Sequence, residues 1–440
     1  MLSQVENEYL CRVGPATPMG NLMRQYWLPA IRSDELPERD GAPLRVRLLG
    51  ENLIAFRASS GEVGLLQNHC PHRGASLFFG RNEESGLRCV YHGWKFSVEG
   101  ECVDMPNEPA ESDFRTRVKA VRYPTNERNG IIWAYLGPRS VPPPLPDLEA
   151  NMLGGDDLVV SIIHRPCNWM QGWEGEMDTV HQAFLHSGAT RVEDTVPGTF
   201  DYYIASTPAP RFAVMDTAYG TSYGAWRPAD ADRYYWRIAH MLMPFYAMIP
   251  AGLMGQQTRF AAYVPMDDEH TLHWEVGARL MEPDELPDYA RGSEAGGPAK
   301  RPDALYMPAT SDWFGRFNMV QSAANDYRID RALQRSGKSY TGIPGIRQQD
   351  MAVTESMGPI FDRESEHLGT TDALIIRTRR RMISAARALY EDGVTPPGVD
   401  EPTLYRQRSG GVLLPRDANW WDATAAQRAE FDAESVTQRR

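Results

Sequence analysis

The sequence predicts an α+β protein of two domains: a small N-terminal all-β domain and a larger C-terminal domain of antiparallel strands and helices. Three observations carry this. The chain has 440 residues, more than one hydrophobic core ordinarily serves, so two domains are expected. Short strand-like runs separated by turn residues crowd its first part: PLRVRLL, NLIAFRA, VGLLQN, LRCVYH, KFSVEG and IIWAYLG. Beyond the proline-rich stretch Gly137 to Pro146, GPRSVPPPLP, helical periodicity joins the strands.

Ahead of those prolines, the runs and their turns fit a small antiparallel sandwich or barrel. The prolines themselves favour a stiff linker. Cys167 to Ser187 reads as a helix. Residues 200–280 hold aromatic-rich strand candidates, among them YYWRIAHMLM and HWEVGARLM. Asp284 to Asp303 is polar and rich in Gly and Pro, the composition of a mobile loop. From Thr371 to Glu391, Ile375, Ile376, Met382, Ile383, Ala386 and Leu389 recur at helical spacing and predict an amphipathic helix. The segment from Thr395 onward has little periodicity and is expected to wrap the surface.

Composition narrows the function classes. Hydrophobic content of 42% and charged content of 24% are those of a soluble globular protein. The longest apolar runs, such as Leu158 to Ile163, are too short to span a bilayer, and MLSQVENEYL lacks the pattern of a signal peptide. A cytoplasmic protein is expected. A net charge of −12 argues against nucleic acid or an anionic membrane as partner. Five cysteines in so long a chain do not suggest a disulfide framework, and two of them sit in tight Cys/His clusters that point to metal.

Those clusters are Cys70-Pro-His72 and Cys89-Val-Tyr-His92, separated by sixteen residues. Each short loop offers one thiolate and one imidazole. Zinc sites usually pair cysteines in one knuckle and histidines in the other. A Rieske [2Fe–2S] cluster needs two Cys on one iron and two His on the other, and here each loop can serve both irons. Gly74, Gly93 and Gly100 suit tight loops where backbone approaches the cluster. Tyr91 and Trp94 are expected to pack over it, and His69 to be structural. With their flanks, NHCPHRGASL and CVYHGWKFSVEG, these loops resemble the Rieske domain of the Rieske non-haem iron ring-hydroxylating oxygenases. The expected division is a helical segment over residues 1–25 packing on the catalytic domain, a Rieske domain over 26–142 and a catalytic domain over 143–440.

A ferredoxin would end soon after the cluster, whereas this chain continues into Asn168–His186, a segment dense in acids and histidines. On one continuous helix Glu174, Asp178 and His181 share a face and His186 rotates off it. Both histidines reach one metal only if the helix ends or distorts near Ala183. Two imidazoles and a carboxylate make the facial triad of non-haem Fe(II) oxygenases. The segment resembles the family's Asp-x-x-His-x-x-x-x-His motif, which implies His181 and His186 as ligands of a mononuclear Fe(II). The same resemblance implies Asp178 as the carboxylate between a ligand histidine and a neighbouring subunit's cluster. For the third ligand the acidic candidates are Asp326, Asp330, Asp350, Glu355 and Asp362. The resemblance of QDMAVTE to the family's late acidic helix implies Asp350, with Asp362 as fallback.

The stretches GIRQQDMAVTESMGPIFDRESEHLGTTD and DTAYGTSYGAWR are most similar to the phthalate dioxygenase-like group. That resemblance implies homotrimers or hexamers of stacked trimers, and electrons from a separate FMN/[2Fe–2S] reductase using NADH. It implies O2-dependent cis-dihydroxylation of an aromatic carboxylate, or alternatively monooxygenation, including O- or N-demethylation. Arg211, Arg227 and Arg237, near Tyr219, Ser222 and Tyr223, are the expected carboxylate contacts. Phe245, Tyr246, Met248 and Ile249 are the expected apolar walls. The rival from another class is a non-catalytic Rieske electron carrier.

Overall fold

The computed structural model describes residues 2–109, 111–155, 158–281, 285 and 305–429. The predicted loop Asp284 to Asp303 lies outside them, apart from Glu285. Two short helices open the chain, α1 (Gln4–Cys11) and α2 (Pro18–Met23), capped by Ser3 and Thr17 respectively.

Next come β1 (Trp27–Arg32), β2 (Leu44–Leu48), β3 (Glu51–Arg57), β4 (Val63–Gln67) and β5 (Arg81–Glu83). They are followed by β6 (Gly86–Arg88), β7 (Lys95–Phe96), β8 (Cys102–Asp104), β9 (Thr125–Arg128) and β10 (Ile131–Tyr135). These strands form small antiparallel sheets in the orders β1-β10-β9, β2-β3-β4 and β5-β6-β7-β8. The run LRCVYH is strand only as far as Arg88, so its cysteine and histidine lie in a loop.

After α3 (Glu149–Leu153) come β11 (Val159–Arg165), α4 (Trp169–Met177) and α5 (Phe200–Ser206). Then follow β12 (Arg211–Thr217), β13 (Gly220–Pro228), β14 (Arg233–Leu242), β15 (Tyr246–Met248), β16 (Gln257–Pro265) and β17 (Thr271–Arg279). Later elements are α6 (Arg331–Arg335), α7 (Ile346–Glu355), α8 (Ala373–Asp392) and β18 (Gly410–Pro415). The large sheet is antiparallel in the order β11-β17-β16-β15-β14-β13-β12, with β18 also on β14.

Helix α8 lays its stripe of Leu374, Ile375, Met382, Ile383 and Ala386 over β12 and β13, and also meets α1, α2 and α4. It ends at Gly393, whose φ of 69° is the left-handed conformation that stops helices. One core runs continuously from α1, α2, β1 and β10 into the large sheet, through Leu10, Leu28, Trp133, Trp169, Trp274 and Ile383. A second, smaller core of Ile54, Phe56, Leu66, Leu87, Trp94 and Phe96 includes Cys70 and Cys89.

The C-terminal segment corrects the expectation of a surface wrap. Strand β18 completes the large sheet, Tyr405 is buried with its hydroxyl donating to the Met243 carbonyl at 2.6 Å, and Trp420 stacks near Trp236. GGVLLP is too short for periodicity to register, and only the stretch of β14 that β15 leaves unpaired makes it a strand. A Cβ on Gly410 would lie 2.4 Å from the Met254 backbone, so the approach of β18 to that loop requires glycine. Among the described residues no helix is long and apolar enough to cross a membrane.

Candidate metal centres and cavity

The two Cys/His loops are near copies of one another. The Cys70 N–H donates to the Ala75 carbonyl at 2.8 Å and the Gly74 N–H to the Cys70 carbonyl at 2.9 Å. The Cys89 N–H donates to the Trp94 carbonyl at 2.8 Å and the Gly93 N–H to the Cys89 carbonyl at 2.9 Å. Each turn closes through a glycine at positive φ, 75° at Gly74 and 80° at Gly93. Gly100 also has positive φ but turns the β7–β8 connection, away from both loops.

The loops bring both imidazoles together, with ring centroids 4.3 Å apart. Trp94 stacks on His72 at 4.3 Å, and its Nε1–H donates to Asn107 Oδ1 at 2.6 Å, which fixes the indole. Tyr91 lies 3.9 Å from the His92 ring on the exposed side. His69 is exposed and bridges Ser76 through backbone.

Two features fit a bound cluster. His72 Nδ1 is buried with no hydrogen-bond partner, an arrangement that costs free energy unless a metal takes the lone pair. Burial pushes the Cys70 thiol up to about 11, so a thiolate there needs a metal to hold it. Among the described residues only His181, His186 and Asp350 bring three donor atoms within 4.8 Å of one another. Cys70, His72, Cys89 and His92 are thus not among the groups that converge on one ion as zinc would require, and two thiols with two imidazoles are the donor set of a binuclear Rieske cluster.

The helix expected over Cys167–Ser187, with the break near Ala183 that two histidines on one metal require, ends earlier. Helix α4 stops at Met177, because Asp178 turns extended and its Oδ1 accepts the Val180 N–H at 2.7 Å. His181 then sits in a separate short turn, His181–Ala183. Glu174 does not share a face with these residues; it is spent in buried ion pairs with Arg363 at 3.0 Å and Arg379 at 2.6 Å.

Leaving the helix is what lets both imidazoles face one point. His181 Nε2 and His186 Nε2 are 3.1 Å apart, and Asp350 Oδ1, from α7, is 3.2 Å from His186 Nε2 and 3.7 Å from His181 Nε2. Metal–ligand bonds of about 2.1 Å at right angles place neighbouring donors about 3.0 Å apart, so the trio fits one face of an octahedron. The other acidic candidates lie apart. Glu355 pairs with Arg165 at 2.5 Å, Asp330 caps α6, and Asp362 accepts the Glu364 N–H at 3.0 Å.

The outer nitrogens are also held. Gln349 Oε1 faces His186 Nδ1 at 2.7 Å, while its Nε2 donates to the Ile343 carbonyl at 2.9 Å. That anchored amide makes Nδ1 the protonated nitrogen and turns the Nε2 lone pair inward. Asp178 Oδ2 lies 3.6 Å from His181 Nδ1. Burial opposes the Asp178 charge, but His181 and two backbone N–H groups outweigh it and keep its carboxyl below the usual range. Sequence reasoning missed Gln349, although it is the immediate neighbour of Asp350.

A cavity of about 760 Å³ opens on the trio, lined also by Phe200, Tyr223, Arg237 and Ile249. Strand register decides which predicted contacts reach it. Tyr223 pairs with Ala239, Ala225 with Arg237 and Arg227 with Tyr235, so these residues share one face. Arg237 donates to the Pro250 carbonyl at 2.9 Å and lies 4.0 Å over the Phe200 ring, with its Nε unpartnered. Arg227 is fully buried and does not line the cavity; its Nε donates to the Thr207 carbonyl at 2.7 Å, and both terminal nitrogens lack partners. Burial first, and Arg237 second, bring its pKa down to about 10.

The remaining expectations need correction. Ser222 projects to the opposite face, where it and Tyr219 bond His240 Nδ1 at 2.8 and 2.9 Å. Arg211 pairs in register with Trp226 on that same outer face and is exposed. Phe245, Tyr246 and Met248 are buried in the core away from the cavity.

A Rieske [2Fe-2S] domain matches residues 26–122, and a LigXa C-terminal domain like family matches residues 134–439. The 3-chlorobenzoate-3,4-dioxygenase oxygenase subunit of Comamonas testosteroni is 47% identical over 430 residues, covering 97% of this chain and 98% of that one. The phthalate 4,5-dioxygenase oxygenase subunit of Pseudomonas putida is 36% identical, covering 97% and 95%. A solved dicamba monooxygenase shares the fold at TM-score 0.56 and 17% identity, covering 84% of this chain and 99% of that one. The chain belongs to the Rieske non-haem iron oxygenases. It is an oxygenase component of the family's alpha-subunit type, an oxidoreductase whose cofactors are a Rieske [2Fe–2S] cluster and a mononuclear iron.

Proposed function

We propose that this terminal oxygenase cis-dihydroxylates an aromatic carboxylate, with His181, His186 and Asp350 holding the mononuclear iron and Cys70, His72, Cys89 and His92 the cluster. The cluster supplies single electrons and the mononuclear iron activates O2. The chain's own residues do the rest. Arg237 carries the substrate reading, since its guanidinium meets the cavity with donor capacity unspent and no carboxylate paired to it among the described residues. Arg227 adds positive potential from behind. Tyr223, Phe200 and Ile249 offer the ring an apolar seat. The chlorobenzoate and phthalate names of the relatives agree with this class.

Asp178, half-buried at the end of α4, is positioned to orient His181 and to take a second imidazole from outside the chain. Exposed apolar side chains flank both centres: Val90 and Tyr91 in the Cys89–His92 loop, and Ile346, Val353 and Met357 at the cavity. That distribution supports a head-to-tail trimer, alone or stacked as a hexamer, in which each cluster serves a neighbour's iron. The electron donor in this reading is a separate FMN/[2Fe–2S] reductase using NADH. Monooxygenation is the second reading, because a 5,5'-dehydrodivanillate O-demethylase oxygenase subunit of Sphingobium is also 30% identical.

Product analysis with a panel of aromatic acids, reductase and NADH tests both. Diols from benzoate-type acids support dihydroxylation, and phenols with formaldehyde from methoxy acids move the assignment to demethylation. A carrier without the second iron would hold about two irons per chain instead of about three.

A further inference from the structure

Arg347 stands one helical turn before Asp350 on α7 and joins three carboxylates from three elements. Its Nη1 donates to Glu176 Oε1 of the α4 helix at 3.0 Å and lies 3.5 Å from Asp350 Oδ2. Its Nη2 donates to Glu275 Oε1 on β17. Those anchors are themselves held: Tyr263 donates its hydroxyl to Glu176 at 2.9 Å, and Arg259 pairs with Glu275 at 3.0 Å. A guanidinium pinned from two sides cannot follow the Asp350 carboxylate if that side chain rotates.

The consequence lies in which oxygen each neighbour claims. Asp350 Oδ1 faces His186 Nε2 at 3.2 Å, whereas Oδ2 faces Arg347. A carboxylate free at both oxygens can turn either or both to a metal. With a fixed cation beside Oδ2, the Oδ1 orientation is preferred before any metal arrives.

We propose that Arg347 is a positioning residue for the mononuclear iron: its grip on Asp350 Oδ2 presents Oδ1 to the metal and keeps the carboxylate from turning its second oxygen inward. This rests on the assignment of His181, His186 and Asp350 as ligands. Outer partners of metal ligands are typically worth about 10- to 100-fold in metal affinity.

The test is Co(II) binding to full-length protein whose cluster is intact and oxidised and whose mononuclear metal has been removed by chelation. Dissociation constants and cobalt EPR are measured for parent, Arg347→Lys, Arg347→Gln and Asp350→Ala. Because Arg347→Gln strands the buried Glu176, the double variant Arg347→Gln/Glu176→Gln keeps that contact uncharged and carries the test if the single variant does not fold. The expected result is about 10- to 100-fold weaker Co(II) binding in the Gln variants, an altered cobalt EPR signal, and partial recovery in Arg347→Lys. Asp350→Ala should weaken binding further. Parent affinity together with a parent cobalt signal in the Gln variants, when Asp350→Ala still loses metal, overturns the role of Arg347 alone. Parent affinity in Asp350→Ala overturns the ligand assignment itself.

Discussion

Replacing Arg237 by Gln removes the cation that meets the cavity while keeping an amide of similar reach. A substrate carboxylate paired with Arg237 gains a charge-assisted hydrogen bond to a buried guanidinium, worth about 1.5–3 kcal/mol. The carboxylate is remote from the reacting carbons, so the bond is present in ground and transition states alike. Its loss is expected to raise KM by about 10- to 150-fold with kcat changing much less. The fold should tolerate the change. Arg237→Gln gives up one bond to the Pro250 carbonyl but also relieves Arg227, which lies buried beside it with two unpartnered nitrogens. The melting temperature is therefore expected to move little. The assay is steady-state O2 consumption with reductase and NADH, comparing an aromatic acid with its methyl ester. The ester is expected to be a poor substrate for the parent and indifferent to the substitution. Equal KM values for the acid in parent and variant, or an equal penalty on acid and ester, refute the carboxylate reading.

Gln349→Leu removes the acceptor at His186 Nδ1 and should weaken metal binding about tenfold or more, with Gln349→Glu restoring it; equilibrium titration with Fe(II) or Co(II) reads this. Asp178→Asn should leave about three irons per chain yet slow single-turnover oxidation of the reduced cluster by about 10- to 100-fold, followed by stopped-flow absorbance; a normal rate removes Asp178 from the electron route. Stability should fall in acid through His164 and His240, whose folded pKa values burial brings down to about 4 and about 3. Below about pH 6.5 the unfolded chain binds protons at both that the folded chain refuses, so stability is full above that pH and drops by roughly 1 kcal/mol per pH unit per histidine as pH falls toward 4. Thermal melts from pH 7 to 4.5 should show a shallower decline in His240→Gln, and an unchanged slope would contradict the assignment.

Much of the site could be read from the sequence because its donors lie close together in the chain. Cys70, His72, Cys89 and His92 occupy two short loops, and His181 and His186 one segment. The helix carrying Ile375, Met382 and Ile383 was legible for a similar reason, since its periodicity is local. Sequence spacing misjudged Cys167–Ser187, because a single side-chain hydrogen bond from the Val180 N–H to Asp178 competes successfully with helix continuation. It also could not separate Ser222 from Tyr223. Adjacent residues in a strand point to opposite faces, and which face meets the cavity depends on what the sheet packs against.

By itself, then, the sequence determined the two metal motifs, the division into a strand-rich beginning and a mixed remainder, and, through resemblance, the oxygenase family. Those are local patterns or patterns of residue type. Tertiary structure alone decided that Asp350 meets two histidines more than 160 residues away, that Arg237 faces the cavity while Arg211 faces solvent, and that Gln349 and Arg347 stand behind that trio. The first and the last depend on α7 packing against α4, and the second on which side of the large sheet is covered. A contact across such a distance along the chain has no periodicity to betray it, because it exists only once the elements have closed on one another.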